Sequence, residues 1–195
     1  MRTAAGALPA QWALPRRGRV GMAGLIATES ALFTIFVVAY LYYIGKSLNG
    51  PYPQDVLELP ILATICLLSS SFTIMRAERA LEHGGGSGFT AWWLLTIALG
   101  GYFLGATAAE WHRLIYEHGL TISTNLFGTT YFSLVGFHAF HVTVGLIMLT
   151  LVFVLSLLGA VTERHAERIT VLGFYWHFVD VVWIVVFTVV YVIGR

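Results

Sequence analysis

The stretch FYWHFVDVVWIV, residues Phe174 to Val185, places a histidine and an aspartate three positions apart in an otherwise apolar and aromatic run. Water solvates such side chains at little cost, whereas the hydrocarbon core of a bilayer does not. The apolar run extends over about residues 169–193, which is long enough to cross a bilayer as a helix. His177 and Asp180 are therefore expected to face protein or water within a membrane helix.

The composition of the whole chain also indicates a membrane protein. Of its 195 residues, 57% are hydrophobic and only 11% are charged, whereas about a quarter of the residues of a soluble domain are charged. The net charge of +1 and the lack of a basic run exclude a general attraction to nucleic acid. The single cysteine, Cys66, cannot form an internal disulfide and is interpreted as a small packing residue.

Five segments are long and apolar enough to span a bilayer, whose core of about 30 Å takes roughly 20 helical residues. They cover about residues 20–44, 58–81, 90–114, 125–158 and 169–193, and the first three connections contain Gly, Pro or Asn residues that end helices. The sequence therefore predicts an all-α integral membrane bundle of five transmembrane helices. Residues 1–19 are expected to form a cytoplasmic N-terminal segment and residues 20–195 one transmembrane domain.

The positions of lysine and arginine predict the orientation, because these residues are retained on the cytoplasmic side near helix ends. Five spans place the two termini on opposite sides of the membrane. One side carries eight basic residues: Arg2, Arg16, Arg17, Arg19, Arg76, Arg79, Arg164 and Arg168. The other side carries three: Lys46, Arg113 and Arg195. The N-terminus is therefore predicted to be cytoplasmic and the C-terminus external.

Five ionisable residues lie deep within the predicted helices: Glu29, His138, His141, His177 and Asp180. A charged side chain there costs about 2.5–3.5 kcal/mol on insertion scales, so each is expected to face protein or water. With a rise of about 1.5 Å per residue, all five fall in one depth band in the central to cytoplasmic half. Three interpretations remain open, namely hydrogen bonds that fix packing, proton or lipid handling, and a metal site. Haem is the least favoured metal group, because two histidines on one face of one helix cannot clamp it.

Glu110 and Arg113 lie near the outer end of the third predicted helix. Charged side chains at such a boundary usually extend toward the membrane surface. We expect this of Arg113 in particular, because the glutamate side chain is shorter and less able to reach the surface.

Four segments in fixed order carry a resemblance to a known family. They are ATESALFTIFVVAYLY (27–42), LELPILATICLLSSSFTI (57–74), YFSLVGFHAFHVTVGL (131–146) and YWHFVDVVWIVVFTVVY (175–191). Together they resemble subunit III of the haem-copper oxidases, over about residues 19–193, and Glu29 matches that family's intramembrane carboxylate. Ala139 and Ala63 depart from the family pattern, which usually has glycine and often has asparagine there. The chain is similar to the five-helix bacterial form, since the two extra helices that begin the seven-helix members are absent.

This resemblance implies a non-catalytic, non-redox subunit of a respiratory terminal oxidase, which reduces oxygen to water and pumps protons. Haem and copper are then expected in partner subunits, with subunit I packed directly against this chain, subunit II and other respiratory subunits in the same complex, and phospholipid bound. No catalytic or metal-ligating residue is expected in this chain. His177 and Asp180 would form a hydrogen-bonded pair that pins the last helix, and Glu29 would support proton uptake. The expected electron donor is cytochrome c, and the expected location is the bacterial plasma membrane.

Two alternatives remain open. The same fold accompanies quinol oxidases and some nitric oxide reductases, and the residues above do not identify the electron donor. A small proton-coupled transporter belongs to a different class, but it requires a substrate path and usually repeat symmetry. The sequence shows neither feature.

Overall fold

A computed structural model describes residues 17–195, and this part of the chain is helical with no β-strand. The helices are α1 (Arg17–Tyr43), α2 (Pro53–Val56), α3 (Ile61–Glu82), α4 (Gly86–Tyr116), α5 (Leu126–Leu157) and α6 (Ala166–Phe187). A 3₁₀ turn at Glu163–His165 leads into α6, and a π-helical turn at Thr188–Ile193 extends it. Within the described residues, five helices (α1, α3, α4, α5 and α6 with its flanking turns) are long and apolar enough to cross a membrane. The predicted five-helix membrane bundle is thus confirmed.

The helix bounds differ from the predicted ones by a few residues. α1 includes Arg17, three residues before the predicted start at residue 20, and the short helix α2 within the first connection was not predicted. Proline at the first position of α2 suits a helix start, because the missing N–H would have no partner there. Residues 1–16, which include Arg2, Arg16 and most of the predicted N-terminal segment, lie outside the described residues.

Local sequence explains where α5 begins and where α3 and α5 end. The Asn125 side chain accepts a hydrogen bond from the backbone N–H of Gly128 at 2.8 Å, as expected of a helix N-cap. Gly84 follows α3 with φ of 75°, and Gly159 follows α5 with φ of 70°. Glycine adopts this left-handed conformation without steric cost, so both turns leave the helix direction sharply.

The helices differ in how much of their surface is packed against the other helices. α3 and α4 form the most extensive contact, whereas α1 contacts only α5, α6 and the π-helical turn to a notable extent. Phe33 and Tyr40 are the buried residues of α1, while α6 buries a large part of its surface. α1 therefore lies at the edge of the bundle, and α6 lies at its centre.

Tryptophans attach α6 and α4 to their neighbours. The Trp176 indole N–H donates to the Ser70 hydroxyl at 2.8 Å, and that of Trp183 donates to the Thr64 hydroxyl at 3.1 Å. The Trp93 indole N–H donates to the Leu149 carbonyl at 2.8 Å. All three rings are buried, so these bonds satisfy donors that would otherwise be unpaired in the interior.

Candidate functional site

Glu29 of α1 and His141 of α5 meet at the edge of the bundle. His141 Nε2 lies 3.3 Å from Glu29 Oε2, which is within ion-pair distance, although the two atoms are not aligned for a hydrogen bond. The His141 side chain is only 7% exposed and that of Glu29 is 25% exposed. Two of the five polar residues, from two different helices, thus lie in contact.

The hydrogen bond of His141 Nδ1 determines which ring nitrogen carries the hydrogen when the ring is neutral. His141 Nδ1 lies 2.8 Å from the carbonyl oxygen of Phe137, which can only accept, so Nδ1 carries a hydrogen. A neutral His141 therefore presents an unprotonated Nε2 to Glu29. Two unprotonated atoms would repel, so the contact is favourable when a proton lies on either Nε2 or Oε2.

His138 has a different environment from His141, although both lie on α5. Its ring is fully buried and stacks on Trp183 with centroids 5.0 Å apart. The Phe103 ring lies 5.7 Å away and that of Phe33 lies 6.5 Å away, both edge-on. Neither ring nitrogen has a hydrogen-bond partner within the described part of the chain. The two histidines therefore share no hydrogen-bond or ion-pair partner within the described residues.

His177 and Asp180 are joined through a third residue, which differs from the direct pair expected from the sequence. The Ser71 hydroxyl of α3 lies 2.8 Å from His177 Nδ1 and donates to Asp180 Oδ2. Asp180 is buried, and its Oδ1 has no hydrogen-bond partner among the described residues. The five predicted residues therefore form an α1–α5 contact and an α3–α6 cluster rather than one common site, with His138 in the aromatic core.

Glu110 turns inward instead of extending toward the membrane surface. The Tyr191 hydroxyl lies 3.1 Å from Glu110 Oε1 and 3.0 Å from Oε2, and it also lies 3.4 Å from the Tyr131 hydroxyl. A tyrosine donor at the end of the last span thus compensates part of the cost of burying the carboxylate.

Arg113 reaches into the first connection. It donates to the Glu58 carboxylate and, at 3.3 Å, to the Val56 carbonyl. This contact near the end of α4 agrees with a basic side chain at a membrane boundary.

Glu78 is a carboxylate that the sequence analysis did not single out. Its side chain is half-buried, and Oε1 is fully buried without a hydrogen-bond partner in the described chain. The oxygen faces Gly173 of α6 so closely that a Cβ atom at that position would lie 1.9 Å from it. Glu78 lies inside the predicted span of residues 58–81, whereas Glu82 follows its end. An ionisable residue within a membrane span is the signal that could have identified it.

An apolar groove of about 700 Å³ runs between α1 and α6. Its walls include Met22, Ile26, Phe33, Phe174, Phe178 and Val182. Arg19 lies in this groove and also in a smaller cavity of about 230 Å³ that contains Glu167 and Arg168. Within residues 17–195, no three His, Cys, Asp or Glu side chains are grouped so as to hold a metal ion.

Comparison with protein families gives a match that covers the whole described part of the chain. The model of the cytochrome c oxidase subunit III family matches residues 16–195. This chain belongs to that family. Subunit III is a non-catalytic subunit of the haem-copper oxidases, so the resemblance inferred from the four segments is confirmed, as are the association with an oxidase complex and the multi-pass membrane character.

Relatives of this subunit III include proteins from complexes with different electron donors. Cytochrome c oxidase subunit 3 of Alkalihalophilus pseudofirmus is 34% identical over 85% of this chain and 82% of its own length. Cytochrome bo(3) ubiquinol oxidase subunit 3 of Pseudomonas aeruginosa is 34% identical over 87% of this chain and 81% of its own length. Quinol oxidase subunit 3 of Bacillus subtilis is 31% identical over 91% of this chain and 89% of its own length. The chain is therefore a subunit III of the haem-copper oxidase type.

Proposed function

We propose that this subunit III packs against oxidase subunit I in a bacterial plasma membrane, within a complex that also contains subunit II. It supports the assembly and stability of a terminal oxidase that reduces oxygen and pumps protons. It also helps to keep the catalytic subunit supplied with protons from the cytoplasm. Haem and copper belong to the partner subunits in this proposal.

The contact between Glu29 and His141 is the observation that carries the proton-supply role. One proton on this contact makes it favourable, either as an ion pair or as a neutral contact in which one of the two facing atoms carries a hydrogen. The Glu29 carboxyl group is partly exposed on α1, at the edge of the bundle, where a neighbouring subunit or lipid would cover it. The pair can therefore take up a proton and release it at the surface of this subunit.

Two substitutions of Glu29 separate proton supply from packing. Glu29→Gln keeps the shape and a polar group that can form hydrogen bonds but cannot titrate, whereas Glu29→Ala also leaves a small cavity. Both variants are expected to assemble and to show near-normal initial oxygen consumption. Both should lose activity faster, or pump more weakly, during sustained turnover at raised pH, when protons are scarce.

Thr28→Ala is a matched control, because Thr28 is exposed on α1 and bonds only to its own helix. It should behave as wild type in the same assay. If Glu29→Gln also behaves as wild type and only Glu29→Ala is impaired, Glu29 is a packing residue and the proton-supply role is wrong.

Phospholipid binding is supported by the groove between α1 and α6. Its apolar walls suit an acyl chain, and Arg19 and Arg168 lie in the cavity that adjoins its end, together with Glu167. Arginine is well suited to a phosphate group, because its planar guanidinium can bind two oxygens at once. We therefore propose that a phospholipid occupies the groove with its phosphate near Arg19.

Quantitative lipid analysis of the purified complex tests this assignment. Arg19→Gln should lower the number of phospholipids retained per complex, whereas Arg79→Gln, an exposed arginine at the end of α3, should not. Equal retention in the two variants would contradict a phosphate site at Arg19.

The proposed electron donor is cytochrome c, in agreement with the description of the family. Quinol is the second candidate, because ubiquinol and quinol oxidase subunits are among the relatives at similar identity. Oxygen consumption by the purified complex should be supported by reduced cytochrome c and not by a short-chain quinol. The opposite preference would assign the chain to a quinol oxidase.

A further inference from the structure

The hydroxyl of Ser71 has a restricted choice of hydrogen-bond directions. It contacts both His177 Nδ1 and Asp180 Oδ2, but a hydroxyl group carries one hydrogen. When that hydrogen points to Asp180, Nδ1 must donate to the serine oxygen. When Asp180 carries a proton and donates, the serine hydrogen must point to an unprotonated Nδ1. The cluster therefore has two ordered arrangements that run in opposite directions.

Conversion between these arrangements moves one proton from His177 to Asp180. A proton taken up at Nε2 first converts the imidazole into imidazolium. The Nδ1–H bond then breaks as Ser71 Oγ accepts that proton, and the original Oγ–H bond breaks as Asp180 Oδ2 accepts the second. Serine ends with one hydrogen, as it began, and His177 returns to a neutral ring of the other tautomer. Reversal of the same steps returns the proton.

A further polar residue, Glu78, lies at the interface between α3 and α6, closer to the end of α3 at Glu82. On α3, Glu78 lies seven residues after Ser71, and on α6, Gly173 lies four residues before His177. The two residues of each pair therefore lie on the same face of their own helix. Glu78 Oε1 is buried against Gly173 without a partner among the described residues. Gly173 and His177 are one helical turn apart on α6, about 6 Å along the helix axis, and the transfer takes one water molecule between the Glu78 carboxyl group and the His177 ring.

We propose that the interface between α3 and α6 is a proton relay, in which Glu78 supplies a proton to His177 and Ser71 passes it on to Asp180. Gly173 makes this possible because any side chain there would displace the Glu78 carboxyl group. The relay involves neither α1 nor α5. It therefore stands apart from the Glu29–His141 contact and does not depend on the function proposed for that pair.

Infrared spectroscopy of the assembled oxidase complex tests the relay without reference to turnover. A protonated Asp180 gives a carboxylic acid band that shifts on transfer into heavy water, and the rate of the shift reports proton exchange. Aspartate-specific ¹³C labelling distinguishes this band from those of glutamates. Loss of the band in Asp180→Asn assigns it to this residue.

Four variants test which side chains determine the rate of proton exchange at Asp180. Ser71→Ala and Glu78→Gln should each slow the exchange at Asp180 by about 100-fold, the lower range for a positioned proton-transfer group. Ser71→Thr keeps the hydroxyl group and should exchange at the wild-type rate. Ser69→Ala removes an exposed hydroxyl of the same helix and should also leave the rate unchanged. Copurification with the other subunits shows that each variant is folded.

Three results would overturn the proposal. If the wild-type complex has no carboxylic acid band assignable to Asp180, this group does not receive the proton. Wild-type exchange in Ser71→Ala would exclude the serine bridge. Wild-type exchange in Glu78→Gln would exclude Glu78 as the source.

Discussion

The indole ring of Trp176 shows how single glycines determine the packing of the central helix. A Cβ atom added at Gly145 would lie 2.8 Å from this ring, and one added at Gly100 would lie at the same distance. Gly145→Ala should therefore overpack the core and destabilise the protein by about 1–3 kcal/mol. Gly101→Ala is the control, because a Cβ there meets nothing within 4 Å. Thermal unfolding of the purified complex measures both, and equal midpoints would contradict this packing account.

At the residue scale, the sequence identified most polar residues of the site but not their partners. Glu29 and His141 stood out because ionisable side chains are costly inside a membrane helix. The partners of Ser71 were not predictable, because a serine in a membrane helix can bond to its own backbone or to a neighbouring helix, and only tertiary packing brought it to His177 and Asp180. Glu110 was expected near the surface, since its tyrosine donor lies 81 positions away in the chain.

At the scale of elements, the π-helical turn that extends α6 is attached to α4 through Tyr191 and Glu110. Tyr191→Phe removes the hydroxyl group that contacts both carboxylate oxygens. Glu110 is half-buried, so the loss of this donor should cost about 1 kcal/mol, the lower end for an unsatisfied acceptor, and the variant should unfold at a lower temperature. Tyr116→Phe is the control, since that side chain is exposed at the end of α4. If the two variants had the same unfolding midpoint, the Tyr191–Glu110 contact would not stabilise the packing of the π-helical turn on α4.

The spans themselves were predictable because length and hydropathy determine them, whereas their contacts were not. Each of the five predicted segments corresponds to a helix whose ends lie within a few residues of the expected positions. The central position of α6 and the edge position of α1 depend on which faces pack together. Both helices are apolar over much of their surface, so periodicity did not distinguish these faces.

At the scale of the whole molecule, the orientation in the membrane remains a prediction from basic residues. Eight of them lie on one side of the predicted spans and three on the other, and the basic side is retained in the cytoplasm. Reporter proteins fused to the two ends should therefore show the N-terminus in the cytoplasm and the C-terminus outside. The reverse arrangement would contradict the orientation and the cytoplasmic origin of the protons.

We propose that this subunit III works within a haem-copper oxidase without holding a redox centre of its own. The most direct measurement is the visible spectrum and metal content of the complex purified through a tag on this chain, before and after the chain is detached with detergent. We expect haem and copper in the complex, and we expect them to remain with the partner subunits when this chain is removed. One haem or metal ion retained by the isolated chain, and lost when His138 and His141 are replaced by alanine, would show instead that this chain holds a cofactor.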